Sequence, residues 1–403
     1  VTVTAPVSDP ATTRAPHFVW AVLALSVGGF AIGTTEFQTM GILPEVARGV
    51  GVSVPTAGHV ISAYALGVVV GVPILSFFGA ALPRKGLLLA LMGAYGAFNL
   101  LSALASSYGL LFVARFLDGL PHGAYFGVAS LVAADLADQR HRGRAVAMVM
   151  LGLSVANVIG VPASTWLGQH AGWRAPYVVS AGLAALTATL IGRFVPHVPA
   201  DTEATGRKEA RSFFTNTQVW LTMLAAAIGF GGLFATYSYI AKTVTTVAGL
   251  SQGWTPVFVL GFGLGMVAGT PLAGELARWS VLRMLVIFSI ASVAIMVLYW
   301  LVAPVGWLLW PAVFLVTAIG SVIALGMQIR LMDVAGDAVT LGAAMTHASL
   351  NVANALGAWI GGAVIEAGYS YRAPALAGAG LAVAGLVVLF ASVRVHRRAV
   401  SVD

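Results

Sequence analysis

The chain has 403 residues, of which 59% are hydrophobic and only 9% charged, and its mean hydropathy is +0.92. Soluble domains carry about 25% charged residues, which excludes an ordinary water-soluble enzyme or binding module. The formal charge of +7 is dispersed over short loops, so no nucleic-acid partner is expected, and the lack of cysteine excludes disulfides, thiolate metal sites and cysteine nucleophiles.

Twelve apolar stretches follow one another along the chain. The first six run at 18–43, 54–80, 86–106, 108–134, 143–167 and 175–195; the second six at 219–243, 254–276, 283–303, 306–328, 340–366 and 373–393. Each is long enough to cross a hydrocarbon core of about 30 Å as a helix. None shows the alternation of a barrel strand, and lipid tolerates only these two solutions for the backbone. The predicted fold is an all-α membrane protein of twelve transmembrane helices. Its predicted parts are an N-terminal tail (1–17), a six-helix half (18–195), a charged linker (196–218), a second six-helix half (219–393) and a C-terminal tail (394–403).

The first stretch contains Glu36, a carboxylate at membrane depth that costs at least a few kcal/mol and so is read as functional. After the second stretch comes the loop Gly79-Ala80-Ala81-Leu82-Pro83-Arg84-Lys85-Gly86. The fourth carries Arg115, Asp118 and His122 at i, i+3 and i+7, on one helical face. Counted from the outer ends, Glu36 and Arg115 both sit about 10–12 Å deep, where they can meet if their faces agree. Asp135 closes that stretch as a gate or loop contact, and the fifth holds Asn157 and Trp166. In the second half, Tyr237 and Tyr239 precede Lys242, which is read as snorkelling to the outer interface. His347, Asn351 and Asn354 form a stripe on the eleventh stretch, either lining a cavity or bonding neighbouring helices. Tyr237, Tyr239, Trp166 and Trp359 could face a solute or pack at the interface. The glycine seams at Gly67, Gly71, Gly152, Gly160, Gly357 and Gly361 suit either moving or fixed helix contacts.

Orientation follows from Arg and Lys. With the N-terminus inside, sixteen of these residues lie on the inner side and three, Arg48, Arg174 and Arg372, on the outer. That bias places both termini in the cytoplasm. The chain also repeats. Gly71-Val72-Pro73 returns as Gly269-Thr270-Pro271, and Trp173-Arg174-Ala175-Pro176 as Tyr371-Arg372-Ala373-Pro374, each 198 residues on. Leu153-Ser154-Val155-Ala156-Asn157 returns 197 residues on as Leu350-Asn351-Val352-Ala353-Asn354. Two pseudo-symmetric halves are therefore expected.

This layout resembles the major facilitator superfamily. The 79–86 loop is similar to that family's G-x-L-x-D-R-x-G loop at Gly79, Arg84 and Gly86, with Pro83 in place of the Asp, and Gly274-Glu275-Leu276-Ala277-Arg278 is a fainter copy. Arg115-Phe116-Leu117-Asp118-Gly119 resembles the fourth-helix R-x-x-x-G motif, and Gly152 to Pro162 the fifth-helix antiporter motif. GTTEF at 33–37, MGILP at 40–44, ISAYALGVVVG at 61–71, PHGAYFGVA at 121–129 and ANVIGVPASTWLG at 156–168 look like the twelve-span drug:proton antiporter branch. Within it the chain is most similar to arabinose-efflux-permease-like and sugar- or chloramphenicol-efflux proteins. The missing loop Asp sets this chain apart from the usual gating latch.

The resemblance implies a secondary transporter exporting a small organic solute in exchange for protons from a bacterial inner membrane, as a monomer. No catalytic residue, metal or cofactor is expected, since the proton gradient supplies the energy. Glu36, Asp118, Arg115 and His122 are the expected proton-coupling residues. Asn157, Tyr237, Tyr239, His347, Asn351 and Asn354 are the cavity candidates; Gly79, Arg84 and Gly86 form the gating loop. In the expected cycle Arg115 approaches and leaves Glu36, which releases and rebinds a proton, with Asp118 sharing or relaying it. The alternative is a permanent Glu36–Arg115 structural lock. Proton-coupled uptake of a sugar or nucleoside is the rival transport reading, and a membrane enzyme or receptor the rival of a different class. The chain offers no HExxH, no thiol and no nucleotide-binding loop for an enzyme.

Overall fold

A computed structural model describes residues 14–79, 82–138, 141–198, 212–336 and 338–400. The ends of both expected tails and most of the charged linker lie outside these residues. The first half consists of α1 (Arg14–Gly41), α2 (Leu43–Val50), α3 (Val54–Gly79), α4 (Arg84–Leu104), α5 (Tyr108–Leu136), α6 (Arg142–Val155), α7 (Val161–Ala171) and α8 (Ala175–Phe194). The second consists of α9 (Thr217–Gly229), α10 (Gly231–Tyr237), α11 (Ile240–Lys242), α12 (Thr255–Val302), α13 (Leu309–Val334), α14 (Val339–Glu366) and α15 (Pro374–Val400).

Among the described residues, ten helical stretches are long and apolar enough to cross a membrane. Two more crossings complete the twelve. α12 is 48 residues long but breaks at Ser280, whose extended backbone (φ −173°, ψ 116°) separates two spans. Ser280 Oγ then accepts the Arg283 N–H at 3.3 Å and caps the second arm. α5 is the twelfth: its 29 residues reach across the layer, while Arg115 and Asp118 lower its hydropathy. One further span is composite. α6 and α7 join through π-helical Ala156–Gly160, inside the segment that resembles the antiporter motif.

The sequence repeat reappears as repeated contact. A Cβ on Gly67 would meet the Phe116 carbonyl at 2.0 Å, and one on Gly71 the Leu120 carbonyl at 2.1 Å. In the other half, Gly265 faces the Phe314 carbonyl at 2.3 Å and Gly269 the Ala318 carbonyl at 2.3 Å. Glycines and partners alike are 198 residues apart, so the same backbone-to-backbone seam is built twice. α3 is thereby welded to α5, and the first arm of α12 to α13. Gly152 against the Ser26 carbonyl, Gly160 against Thr34 and Gly357 against the Gly231 carbonyl are likewise contacts within a half. These seams stiffen each half and do not form the surface between the two. Contacts across the halves fall elsewhere, at Gly58 against the Tyr239 hydroxyl and Gly263 against the Asn157 carbonyl.

Among the described residues, one apolar cluster draws on both halves. Phe37, Met40, Leu43, Ala47, Ala57, Ile61 and Val161 pack there with Phe234, Tyr237, Ile240, Phe258 and Phe262. The Phe37 ring lies parallel to Phe234 (centroids 6.4 Å apart) and 5.7 Å from Phe262. This cluster occupies the end of the bundle that the charge bias assigns to the outside. The cluster beneath α4 and α5 belongs to the first half alone, and those around α13 to the second alone.

Candidate functional site

α1 brings a polar run, Thr34-Thr35-Glu36-Phe37-Gln38-Thr39, into the outer third of the bundle, and all six residues are buried. Opposite, α5 presents Arg115, Asp118 and His122 on its inward face, also buried. The helical stripe expected from their spacing is formed, but its members divide into two groups.

Arg115 belongs to the first. Its NH1 is paired with Asp118 Oδ2, and its NH2 donates to the Thr35 carbonyl at 3.3 Å. Its guanidinium stacks over the Tyr64 ring at 4.3 Å and near Tyr177 at 5.4 Å. Asp118 Oδ1 accepts from Asn99 Nδ2 at 2.7 Å, so both carboxylate oxygens are bonded. The ion pair thus neutralises itself inside a cage of aromatic rings and amides, the arrangement that makes a buried pair tolerable.

Glu36 belongs to the second group. Among the described residues its carboxylate faces His122, with Nε2 to Oε2 at 4.0 Å, a pairing that is ionic only when the imidazole is protonated, and forms no salt bridge with Arg115. His122 Nδ1 shares a hydrogen bond with the Tyr64 hydroxyl at 2.8 Å. The permanent Glu36–Arg115 bond weighed from sequence is therefore not formed here, because Asp118 takes the guanidinium one turn away on the same helix. Tyr64 touches both groups: its ring supports Arg115 and its hydroxyl orients His122.

From the second half, His347 stacks parallel to Phe126 at 6.1 Å, and Phe126 lies 5.5 Å from His122. The three rings carry the α5 stripe across to α14. Asn157, Asn351 and Asn354 are buried, and each keeps an amide atom without a partner among the described residues: Oδ1 of Asn157 and Asn351, and both Oδ1 and Nδ2 of Asn354. Tyr237 is similar, with an unpartnered hydroxyl and a ring stacked on Phe262 at 3.5 Å. It lines a cleft with Thr236, Ile240, Tyr299, Val313 and Val316. Tyr239 differs. Its hydroxyl donates to the Ala358 carbonyl at 2.8 Å and wedges between α3 and α14, so it joins helices instead of facing a cavity. Trp166 and Trp359 are about half exposed, at 54% and 55%, on the outer surface of the bundle.

In the gating loop, α3 ends at Gly79, Pro83 caps α4 and residues 80–81 lie outside the described ones. Arg84 pairs with Asp135 at the inner end of α5, its N–H donates to the Val198 carbonyl at 3.1 Å, and Lys85 donates to the Gly192 carbonyl at 2.8 Å. Asp135 is thus the carboxylate that meets Arg84. Gly86 has open space around it.

Four contributors were not singled out from sequence: Tyr64, Asn99, Tyr177 and Thr35. Asn99 carried a signal, as the one amide in the apolar stretch 86–106. The tyrosines carried none, since aromatics occur throughout the chain.

Comparison with known proteins bears on this arrangement. The sequence profile of the Major Facilitator Superfamily matches residues 25–345. The Inner membrane transport protein YdhP of Escherichia coli (strain K12) is 36% identical over 93% of this chain and 96% of its own length. The Chloramphenicol resistance protein of Streptomyces lividans is 34% identical over 63% of this chain and 65% of its own. Among solved structures, the nucleoside transporter NupG superposes with a TM-score of 0.74, covering 93% of this chain and 99% of that one at 13% identity, which speaks to the fold. With most of its length matched, and with two six-helix halves meeting around a buried polar site, the protein is a member of the major facilitator superfamily of membrane transporters.

Proposed function

We propose that this protein is a proton-coupled exporter of a small, drug- or sugar-like organic solute. In this reading it works by alternating access as a monomer in a bacterial inner membrane, with both termini cytoplasmic. The observation that carries the reading is the division of labour among the four buried ionisable residues. Arg115 and Asp118 satisfy each other, which leaves Glu36 as the carboxylate free to change its proton state. His122 faces it, held by Tyr64, and a bridging water across 4.0 Å would link the two. Asp118, expected to share that proton, instead positions Arg115.

The apolar cluster shared by the halves lies at the outer end, which supports reading this arrangement as inward-facing. Solute entering from inside meets Asn157, Asn351, Asn354 and Tyr237, whose free amide and hydroxyl atoms suit a neutral or weakly basic molecule with hydrogen-bonding groups and an apolar face. Phe37, Phe234 and Phe262 supply apolar walls. The name of the Streptomyces relative agrees with a solute of that kind. Loading releases the Glu36 proton inward; reprotonation from outside resets the cycle. The inner Arg84–Asp135 pair would hold the start of α4 to the end of α5 as the halves rock.

The test is an efflux and resistance screen in a pump-deficient host. Expressing cells should accumulate less of at least one amphipathic drug or sugar, and an uncoupler should abolish the difference. Glu36→Gln should abolish gradient-driven efflux while the protein still folds. Wild-type efflux by that variant would remove Glu36 from coupling, and uptake driven by an inward proton gradient would reverse the proposed direction.

A further inference from the structure

The outer seam holds a carboxylate that the coupling site does not use. α1 stops at Gly41, Pro44 opens α2, and Glu45 follows in the first turn of this eight-residue helix at the water-facing end. Despite that location Glu45 is buried, at 8% exposure. Its Oε1 accepts from Gln252 Nε2, which belongs to the opposite half, and from Arg48 NH2 at 3.3 Å. Its Oε2 is buried without a partner among the described residues. Gln252 is gripped a second time, because its carbonyl accepts Gln169 Nε2 at 3.1 Å. One residue of the second half is thus clasped between two of the first.

Both donors converge on a single oxygen. In a neutral acid the carbonyl oxygen takes both donors, and the buried hydroxyl is a neutral donor left without an acceptor, a smaller penalty than a bare charge. An ionised carboxylate with one bare, buried oxygen would be costly in the same place. We propose that Glu45 is a proton-operated latch on the outer gate: protonated, it seals the halves over Gln252; ionised, it is drawn into water and the seam parts. The latch rests on the alternating-access reading above and adds to it a second proton-sensitive residue, nine positions along the chain from Glu36.

The charges acting on Glu45 are Arg48 on its own helix and Lys242 on the opposite half. α1 and α3 also pack against α2, and neither places an ion-pair partner on Glu45 among the described residues. Burial raises the Glu45 pKa above the ordinary carboxylate value, and this outweighs the lowering by its backbone N–H, Arg48 and Lys242. An opened seam returns the group to water and to its ordinary value. The sealed form therefore binds the proton more tightly, so acid favours sealing and opening gains as pH rises through the sealed-form value. A pKa difference of about one unit between the two forms changes their ratio about tenfold from acid to alkaline conditions. External protons would then load Glu36 and close the gate above it in one direction of cycling.

The lack of native cysteine allows a direct test. Spin labels on Ala171→Cys and Ser251→Cys, exposed residues of the two halves on the outer rim, report the width of the seam in solute-free protein. The Glu36→Gln background removes the other proposed proton site from the readout. The expected result is a short distance in acid and a growing long-distance population in alkali. Added Glu45→Gln should keep the distance short at every pH, and Gln252→Leu, which removes the side-chain amide that Glu45 holds and leaves the backbone carbonyl to Gln169, should populate the long distance even in acid. A parent without pH response, a Glu45→Gln variant that responds like its parent, or a Gln252→Leu variant indistinguishable from it would overturn the latch. Failure of the coupling reading shows separately, in the efflux of the Glu36→Gln variant, which these distances do not require.

Discussion

At the scale of single residues, the contrast between Asp118 and Glu36 is the sharpest consequence of the site. Both are carboxylates buried between the same two helices. One accepts from Asn99 and Arg115 on both oxygens; the other, among the described residues, lies 4.0 Å from His122 and makes no salt bridge with Arg115. Removing one member of a buried pair leaves an uncompensated charge and costs about 3–5 kcal/mol. Asp118→Asn should accordingly lower the thermal stability of the purified protein markedly, measured by loss of the monodisperse peak on heating. Glu36→Gln should leave that transition nearly unchanged. Equal melting of the two variants would contradict the assignment of Asp118 to positioning. Tyr64→Phe should show an intermediate pattern: normal assembly, because the ring still supports Arg115, and a shifted pH profile of transport, because His122 loses the hydroxyl on Nδ1.

At the scale of elements, the glycine contacts separate what is rigid from what moves. Gly71 lies against the Leu120 carbonyl within one half, whereas Gly263 lies against the Asn157 carbonyl of the other half. A methyl at either position collides with backbone, which costs about 1–3 kcal/mol where nothing can yield. For Gly71→Ala no alternative state relieves the collision, so stability should fall. For Gly263→Ala the collision exists only while the outer ends are together. That variant should fold and shift toward the open outer form, seen as a longer spin-label distance between residues 171 and 251. An unchanged distance would mean that the contact between the π-helical segment and α12 is not part of the moving seam.

The whole molecule is two welded halves whose shared apolar cluster lies at the outer end, with the Phe126–His347 stack and the bond from Ser62 Oγ to the Ala355 carbonyl as further contacts between them. Its sidedness rests on the Arg and Lys bias and has a direct check. Cysteines replacing Arg48 or Ala171 should react with an impermeant reagent in intact cells, while those replacing Lys85 or Arg283 should react only after lysis. The reverse pattern would invert the topology and with it the inward-facing reading.

Much of this protein was legible in its sequence for physical reasons. Lipid forces every span to satisfy its own backbone, so length and apolarity alone reveal the helices, and a duplicated chain keeps its offset of 198 residues in glycines whose contacts leave no room for a side chain. The cost of burying charge marked Glu36, Arg115, Asp118 and His122 as a group. What helical spacing could not decide was which of them pair, since α5 offers Arg115 a carboxylate one turn away while α1 offers another at the same depth. Packing decided it, through Asn99 on α4 and Tyr64 on α3, residues that look ordinary along the chain. Tertiary structure alone also set the Tyr239 hydroxyl on the Ala358 carbonyl and buried Glu45 against Gln252 of the other half. Burial, not chemical type, gives those residues their roles, and burial at the seam exists only once the two halves have met.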